Sequence, residues 1–268
     1  FNPDAIIHFA AESHVDKSIE NPLKFVETNV LGTGILLNTS LNYWKSKFNG
    51  NPNAFKFIHV STDEVFGSLG KTGFFDEKSP YKPNSPYSAS KAASDHLVRA
   101  WNKTYDIPAI LTNCSNNYGP YQYPEKLIPL MITNCLEGKN LPVYGSGQNI
   151  RDWIYVDDHC DALNTVLSDG IIGESYNIGG NNEIDNLSLV KYICDLLDSR
   201  KPRPNGKKYK ELITFVNDRA GHDFRYAINS SKINNELQWS PKESFETGIL
   251  KTIDWYINND KWWKKLKK

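Results

Sequence analysis

Phe55-Lys56-Phe57-Ile58-His59-Val60-Ser61-Thr62-Asp63-Glu64 is followed downstream by Ser85-Pro86-Tyr87-Ser88-Ala89-Ser90-Lys91. Phe55–Ser61 reads as a short buried strand ending in polar residues. Ser85 before Pro86 reads as an N-cap with proline at the first helical position. Tyr87 and Lys91 then lie four residues apart on one helix face. An ammonium there favours the charged form of a phenol and lowers its pKa. A phenolate that takes and returns a proton near neutral pH suits alcohol–ketone redox chemistry. The spacing alone decides nothing, since chance yields about one such pair in a chain of this composition. A second stands at Tyr43 and Lys47, on the lysine-rich end of an earlier helix, and reads as solvated surface.

Two further apolar runs, Ala5–Ala11 and Ala109–Cys114, read as strands covered on both faces, as in a parallel sheet. Asn21-Pro22 repeats the cap signal. Beyond it Leu23, Val26, Val30, Gly34, Leu37, Leu41 and Trp44 recur at spacings of three or four, the stripe of one long amphipathic helix. Strand and helix patterns alternate, which gives an α/β fold with a doubly wound parallel sheet. After Pro120, loops alternate with short helices (Leu127–Leu136, Asp157–Leu167, Leu187–Leu197), the pattern of a smaller α+β lobe.

Lys+Arg and Asp+Glu both number 31, a balance that argues against nucleic acid or an acidic membrane surface as partner. No run approaches the roughly 20 apolar residues of a membrane span. The four cysteines form no CxxC pair and read as free thiols of a reducing cytoplasm, with no metal site. Phe1-Asn2-Pro3-Asp4 leads straight into a buried-type strand, so the chain is expected to enter mid-fold. Gly67, Gly70 and Gly73 imitate a dinucleotide phosphate loop, but such a loop must run directly into a helix N-terminus. Here Phe74, Phe75, Pro80 and Pro83 follow, and the segment reads as loop.

Ligands of doubly wound sheets bind beyond the carboxyl ends of the strands. Those ends here are Ala10-Ala11-Glu12-Ser13-His14, Ser61-Thr62-Asp63-Glu64 and Asn113-Cys114-Ser115-Asn116-Asn117-Tyr118-Gly119. Neighbours on a regular strand face opposite ways, so Asp63 and Glu64 act together only where the strand has ended.

These motifs, with Pro124-Glu125-Lys126-Leu127-Ile128-Pro129, Arg151-Asp152-Trp153 and Asp218-Arg219-Ala220-Gly221-His222-Asp223, resemble the dTDP-glucose 4,6-dehydratase family of the extended short-chain dehydrogenase/reductase superfamily. The resemblance implies a Rossmann-like NAD domain over 1–117 and roughly 150–180, incomplete at its N-terminus because the glycine-rich segment is absent. It places a nucleotide-sugar lobe over 118–149 and 181–268. The implied reaction is NAD-mediated dehydration of dTDP-glucose to its 4-keto-6-deoxy derivative, a step of deoxysugar biosynthesis. Thr62, Asp63, Glu64, Tyr87 and Lys91 are the implied catalytic set. Phe9, Ala10, Ala11, Ser13, Thr28, Tyr87, Lys91 and Asn117 are the implied NAD contacts. Ser13, Thr62, Asn116, Glu125, Lys126, Leu127, Pro142, Tyr144, Arg151, Asn186, Arg219 and His222 are the implied substrate contacts. The family also implies a homodimer through a four-helix contact. The alternatives are another nucleotide-sugar dehydratase, decarboxylase or epimerase of the superfamily, or a silent fragment unable to hold NAD. Thr62-Asp63-Glu64 argues against the epimerase and decarboxylase.

Overall fold

The computed structural model describes residues 1–267. In chain order the strands and helices are β1 (Ala5–His8), α1 (Val15–Glu20), α2 (Pro22–Phe25), α3 (Gly32–Phe48), β2 (Lys56–Thr62), α4 (Pro86–Tyr105) and β3 (Ala109–Cys114). There follow β4 (Asn116–Tyr118), α5 (Leu127–Glu137), β5 (Leu141–Tyr144), β6 (Ile150–Tyr155), α6 (Val156–Asp169), β7 (Ser175–Ile178) and β8 (Glu183–Asp185). The chain continues through α7 (Asn186–Arg200), β9 (Ile213–Val216), α8 (Ser231–Leu237), α9 (Phe245–Asn258) and α10 (Asp260–Leu266). No helix among the described residues is long and apolar enough to cross a membrane.

Contacts divide the chain into two compact units. The first comprises Phe1–Ser115, Cys160–Gly179 and Gly221–Ser240; the second comprises Asn116–His159, Gly180–Ala220 and the described chain from Pro241 onward. These boundaries differ from the expected ones at three places. Asn116 and Asn117, expected in the first unit, belong to the second. Residues 221–240 belong to the first unit, where Leu69 bridges Arg225 and Phe75 bridges Ile228. Strand β6 belongs to the second, where it pairs with β4 and β8.

The first unit is built on a parallel sheet of order β1-β2-β3-β7. Leu37, Leu41, Trp44, Phe57, Val98 and Leu111 bring α3, α4 and the sheet into one apolar cluster. β1 is shorter than the expected Ala5–Ala11 and only partly covered: it stops at His8, and Ile7 on this edge strand is 37% exposed. Beyond His8 the backbone has a different partner. Asn29 accepts from the Glu12 amide at 2.8 Å and donates to the Glu12 carbonyl at 3.0 Å and to the Ser90 hydroxyl at 2.8 Å.

Asn29 reaches inward because the expected single helix is interrupted by a π turn over Val26–Leu31, a one-turn bulge that recurs at functional sites. At α4, Ser85 and Ser88 form the reciprocal capping box, with Pro86 in the first turn. The Gly67–Gly73 segment is loop, as expected. Gly67 takes a φ of 87°, a Cβ there would lie 2.3 Å from the Lys82 carbonyl, and the Gly73 carbonyl accepts from Arg225 at 3.0 Å.

The second unit carries the three-stranded β4-β6-β8 sheet and the β5–β9 pair. Helices α5, α7 and α9 enclose a core that includes Tyr118, Ile132, Trp153, Leu189 and Ile249.

Asn29→Ala strands the Glu12 amide and carbonyl, and is expected to cost about 1–3 kcal/mol in urea unfolding. Burial lowers His159 to about 4 and, with repulsion from His59 and Lys91, lowers His8 to about 4. Both therefore bind protons more readily in the unfolded chain, where the ordinary value is 6.5. Stability is expected to fall as pH drops from 6.5 towards 4. His159→Gln is expected to flatten that fall, as read from urea midpoints across the range.

Candidate active site

β2 ends at Thr62, and a 3₁₀ turn over Asp63–Phe66 begins where the pleat stops. Asp63 and Glu64 are thereby freed from opposite-face alternation, as the sequence requires of a cooperating pair. Thr62 caps the turn: its hydroxyl accepts from the Glu64 amide at 3.3 Å and donates to Asp63 Oδ1 at 3.3 Å. The same hydroxyl is hydrogen-bonded to the Tyr87 phenol. Tyr87 is buried, edge-on to Phe25 with ring centroids 6.4 Å apart. Lys91 is 4% exposed, and its ammonium donates to the Val60 carbonyl at 2.8 Å. Thr62, Asp63, Glu64, Tyr87 and Lys91 thus form one polar cluster at the carboxyl end of the central strand.

The electrostatics correct one expectation. Tyr87 is pushed well above the usual phenol range, first by burial and then by the negative charge of Glu64, while its bond to Thr62 pulls the other way. Lys91 is lowered by burial, against which Asp95 raises it. The i,i+4 spacing predicts that the ammonium dominates the phenol. In the fold, the ammonium is directed at a backbone carbonyl and two carboxyls stand by the phenol. Tyr43, of the other pair, donates to the Pro3 carbonyl at 3.0 Å on the surface.

Of the loop after β1, Phe9 is 56% exposed, Ala10 and Ser13 are exposed, and Ala11 is half-buried. Thr28 sits half-buried on the π turn beside Asn29. Asn29 itself is absent from the residues singled out in the sequence. Its signal is faint, an amide side chain next to the apolar stripe of Val26 and Val30. Of the remaining candidates only His222 lies in this unit, half-buried just after Gly221, whose backbone approaches the Asn84 carbonyl.

The second unit holds the others. Asn116 and Asn117 are on β4, and the Asn117 side-chain oxygen bonds His159 Nδ1 at 2.8 Å. Arg151, 5% exposed on β6, pairs in register with Ile184. Asn186 opens α7 and its amide donates to the Asn149 carbonyl at 3.0 Å. Pro142 and Tyr144 are on β5, whose following Gly145 lies against Asp218, the neighbour of Arg219. Glu125 and Lys126 directly precede α5, and Leu127 is its first residue. Among the described residues no three His, Cys, Asp or Glu are grouped to hold a metal ion.

A protein-family model described as GDP-mannose 4,6 dehydratase matches residues 1–252. The dTDP-glucose 4,6-dehydratase of Xanthomonas campestris pv. campestris is 58% identical over 260 residues, which are 97% of this chain and 74% of that protein. The dTDP-glucose 4,6-dehydratase 1 of Escherichia coli K12 is 56% identical over 97% of this chain and 74% of its own length. Among solved structures, DesIV from Streptomyces venezuelae, a dTDP-glucose 4,6-dehydratase with NAD bound, matches with a TM-score of 0.89 and 46% identity, over 98% of this chain and 76% of that one. The UDP-glucose 4-epimerase of Thermotoga maritima shares the fold at 25% identity and a TM-score of 0.83, over 96% of this chain and 78% of that one. With identity this high over nearly all of its length, the chain belongs to the dTDP-glucose 4,6-dehydratase family.

Proposed function

We propose that this protein is a hydro-lyase that converts dTDP-glucose to dTDP-4-keto-6-deoxyglucose in deoxysugar biosynthesis, with NAD as cofactor. The observation that carries the reading is the pair Asp63 and Glu64 beside the Thr62–Tyr87 hydrogen bond. Epimerisation at C4 needs a proton carrier at one oxygen. Loss of water across C5 and C6 needs an acid and a base as well, and the two carboxyls of this cluster suit those roles.

The residues fit NAD at the end of β1. Small side chains at Ala10 and Ala11 leave the backbone open to close approach, and Asn29 fixes the loop that follows. Phe9, Ala10, Ala11, Ser13, Thr28 and Asn117 would hold the cofactor, with Tyr87 and Lys91 at its reactive end. When bound, NAD would supply reversible hydride chemistry, accepting hydride from C4 and returning it at C6. Tyr87 takes the O4 proton, and Thr62 hydrogen-bonds the same oxygen. A C4 ketone acidifies the C5 proton, which Glu64 removes. Asp63 protonates the departing O6 hydroxyl. Asp63 is buried and Glu64 half-buried, and unequal surroundings are what let two neighbouring carboxyls divide acid and base roles.

Arg151 and Arg219 are assigned to the diphosphate, which suits guanidinium forks. Asn116, Glu125, Lys126 and Leu127 are assigned to the sugar and phosphate path, and Pro142, Tyr144, Asn186 and His222 to the nucleoside. We assign a homodimer to a four-helix contact of the α2–α3 run and α4; Leu23, Val26, Leu31 and Ile35, which are 76%, 49%, 58% and 59% exposed along the first of these, support it. The four free cysteines suit a cytoplasmic location.

Incubation with dTDP-glucose and NAD is expected to yield a nucleotide sugar lighter by one water in the mass spectrum. A product of unchanged mass favours the epimerase, and no product contradicts both. Glu64→Gln is expected to lower kcat about 10²–10⁴-fold with KM little changed, the range for loss of a proton-transfer group. Steady-state kinetics check it.

A further inference from the structure

Asp95 lies one turn beyond Lys91 on α4, has no exposed surface, and gathers partners from three other segments. Its Oδ2 accepts from the Ser61 hydroxyl on β2 at 2.8 Å, from the Tyr81 phenol at 3.0 Å and from the Asn113 amide on β3 at 3.4 Å. Its Oδ1 lies 3.2 Å from His59 Nε2. A carboxylate this deep persists only where hydrogen bonds and nearby cations offset its loss of water.

Those partners bracket Thr62. Ser61 precedes it, and Asn113 donates to the Thr62 carbonyl at 3.0 Å. Asp95 therefore reaches both flanks of the point where β2 gives way to the turn bearing Asp63 and Glu64. It also supports the charge of Lys91 against burial. The charged and titratable groups around Asp95 are His59 from β2, Tyr81 from the segment before α4, Lys91 on its own helix, and Arg99, which reaches it through Tyr81 at 3.1 Å. Burial and Lys91 lower His59, and Asp95 acts the other way.

We propose that Asp95 is a positioning residue of the active site, which fixes the carboxyl end of β2 without touching substrate. Its kinetic consequence rests on the dehydratase reading, and its structural consequence does not. Asp95→Asn preserves the side-chain shape and removes the charge. Hydrogen exchange read by mass spectrometry is expected to quicken about tenfold or more in the peptide spanning 61–64, with β7 unchanged as internal control.

In turnover of dTDP-glucose, kcat is expected to fall about 100-fold with KM within about threefold. Without the counter-charge Lys91 loses its proton at lower pH, so the alkaline limb of kcat moves to lower pH; Asp95→Glu is expected to restore the limb. Unchanged or uniformly faster exchange overturns the proposal, as does a kcat loss with an unmoved limb. Should Asp95→Asn fail to fold, Ser61→Ala and Asn113→Ala each remove one arm and are expected to quicken exchange at 61–64 alone; wild-type exchange there overturns the proposal. An inactive wild-type protein sinks the dehydratase reading and leaves the exchange result decisive.

Discussion

The ammonium of Lys91, buried inside the first unit and bonded to the Val60 carbonyl, is the constraint on which the site depends. An ion removed from water needs a fixed acceptor and a counter-charge nearby. β2 supplies the acceptor and Asp95 the charge. Satisfying both fixes α4 against the sheet and sets Tyr87, one turn earlier, against Thr62. The capping box at Ser85 then defines where that helix starts, and so which turn Tyr87 occupies.

The same economy of placement explains why two carboxyls share the end of one strand. On the pleat they would diverge, whereas the 3₁₀ turn beginning at Asp63 lets Thr62, through its hydroxyl, hold Asp63 and the Glu64 amide together. The phenol beside them is made harder to ionise by burial and by Glu64. Both act against the ionised phenol, and the bond to Thr62 acts for it.

What could be read from sequence was what local chemistry dictates. The proline caps, the strands at Phe55–Ser61 and Ala109–Cys114 and the polar strand ends each depend on neighbours in the chain, and the structure shows β2 and β3 within a residue of those limits. What escaped depends on distant partners. β1 stops at His8, and Glu12 beyond it is engaged by Asn29, 17 residues after Glu12. The helix through Val26 carries a π turn that the apolar stripe hides. The direction of the Tyr87 shift follows from burial and from Glu64, which spacing along α4 does not reveal. Residues 221–240 join the first unit through bridges to Leu69 and Phe75, more than 150 residues back for each pair. Asp95 looks like an ordinary helical aspartate until β2, β3 and Tyr81 are folded around it.

The central claim is that Glu64 and Asp63 act across C5 and C6 while Tyr87 serves O4. The most direct measurement is turnover of dTDP-glucose in deuterium oxide, with the product's label located by NMR. The account predicts one solvent deuterium at C5, because Glu64 removes that proton and solvent returns it, and none at C6, whose new hydrogen is the hydride that left C4. A 4-keto-6-deoxy product with protium retained at C5, or with solvent deuterium at C6, would contradict it.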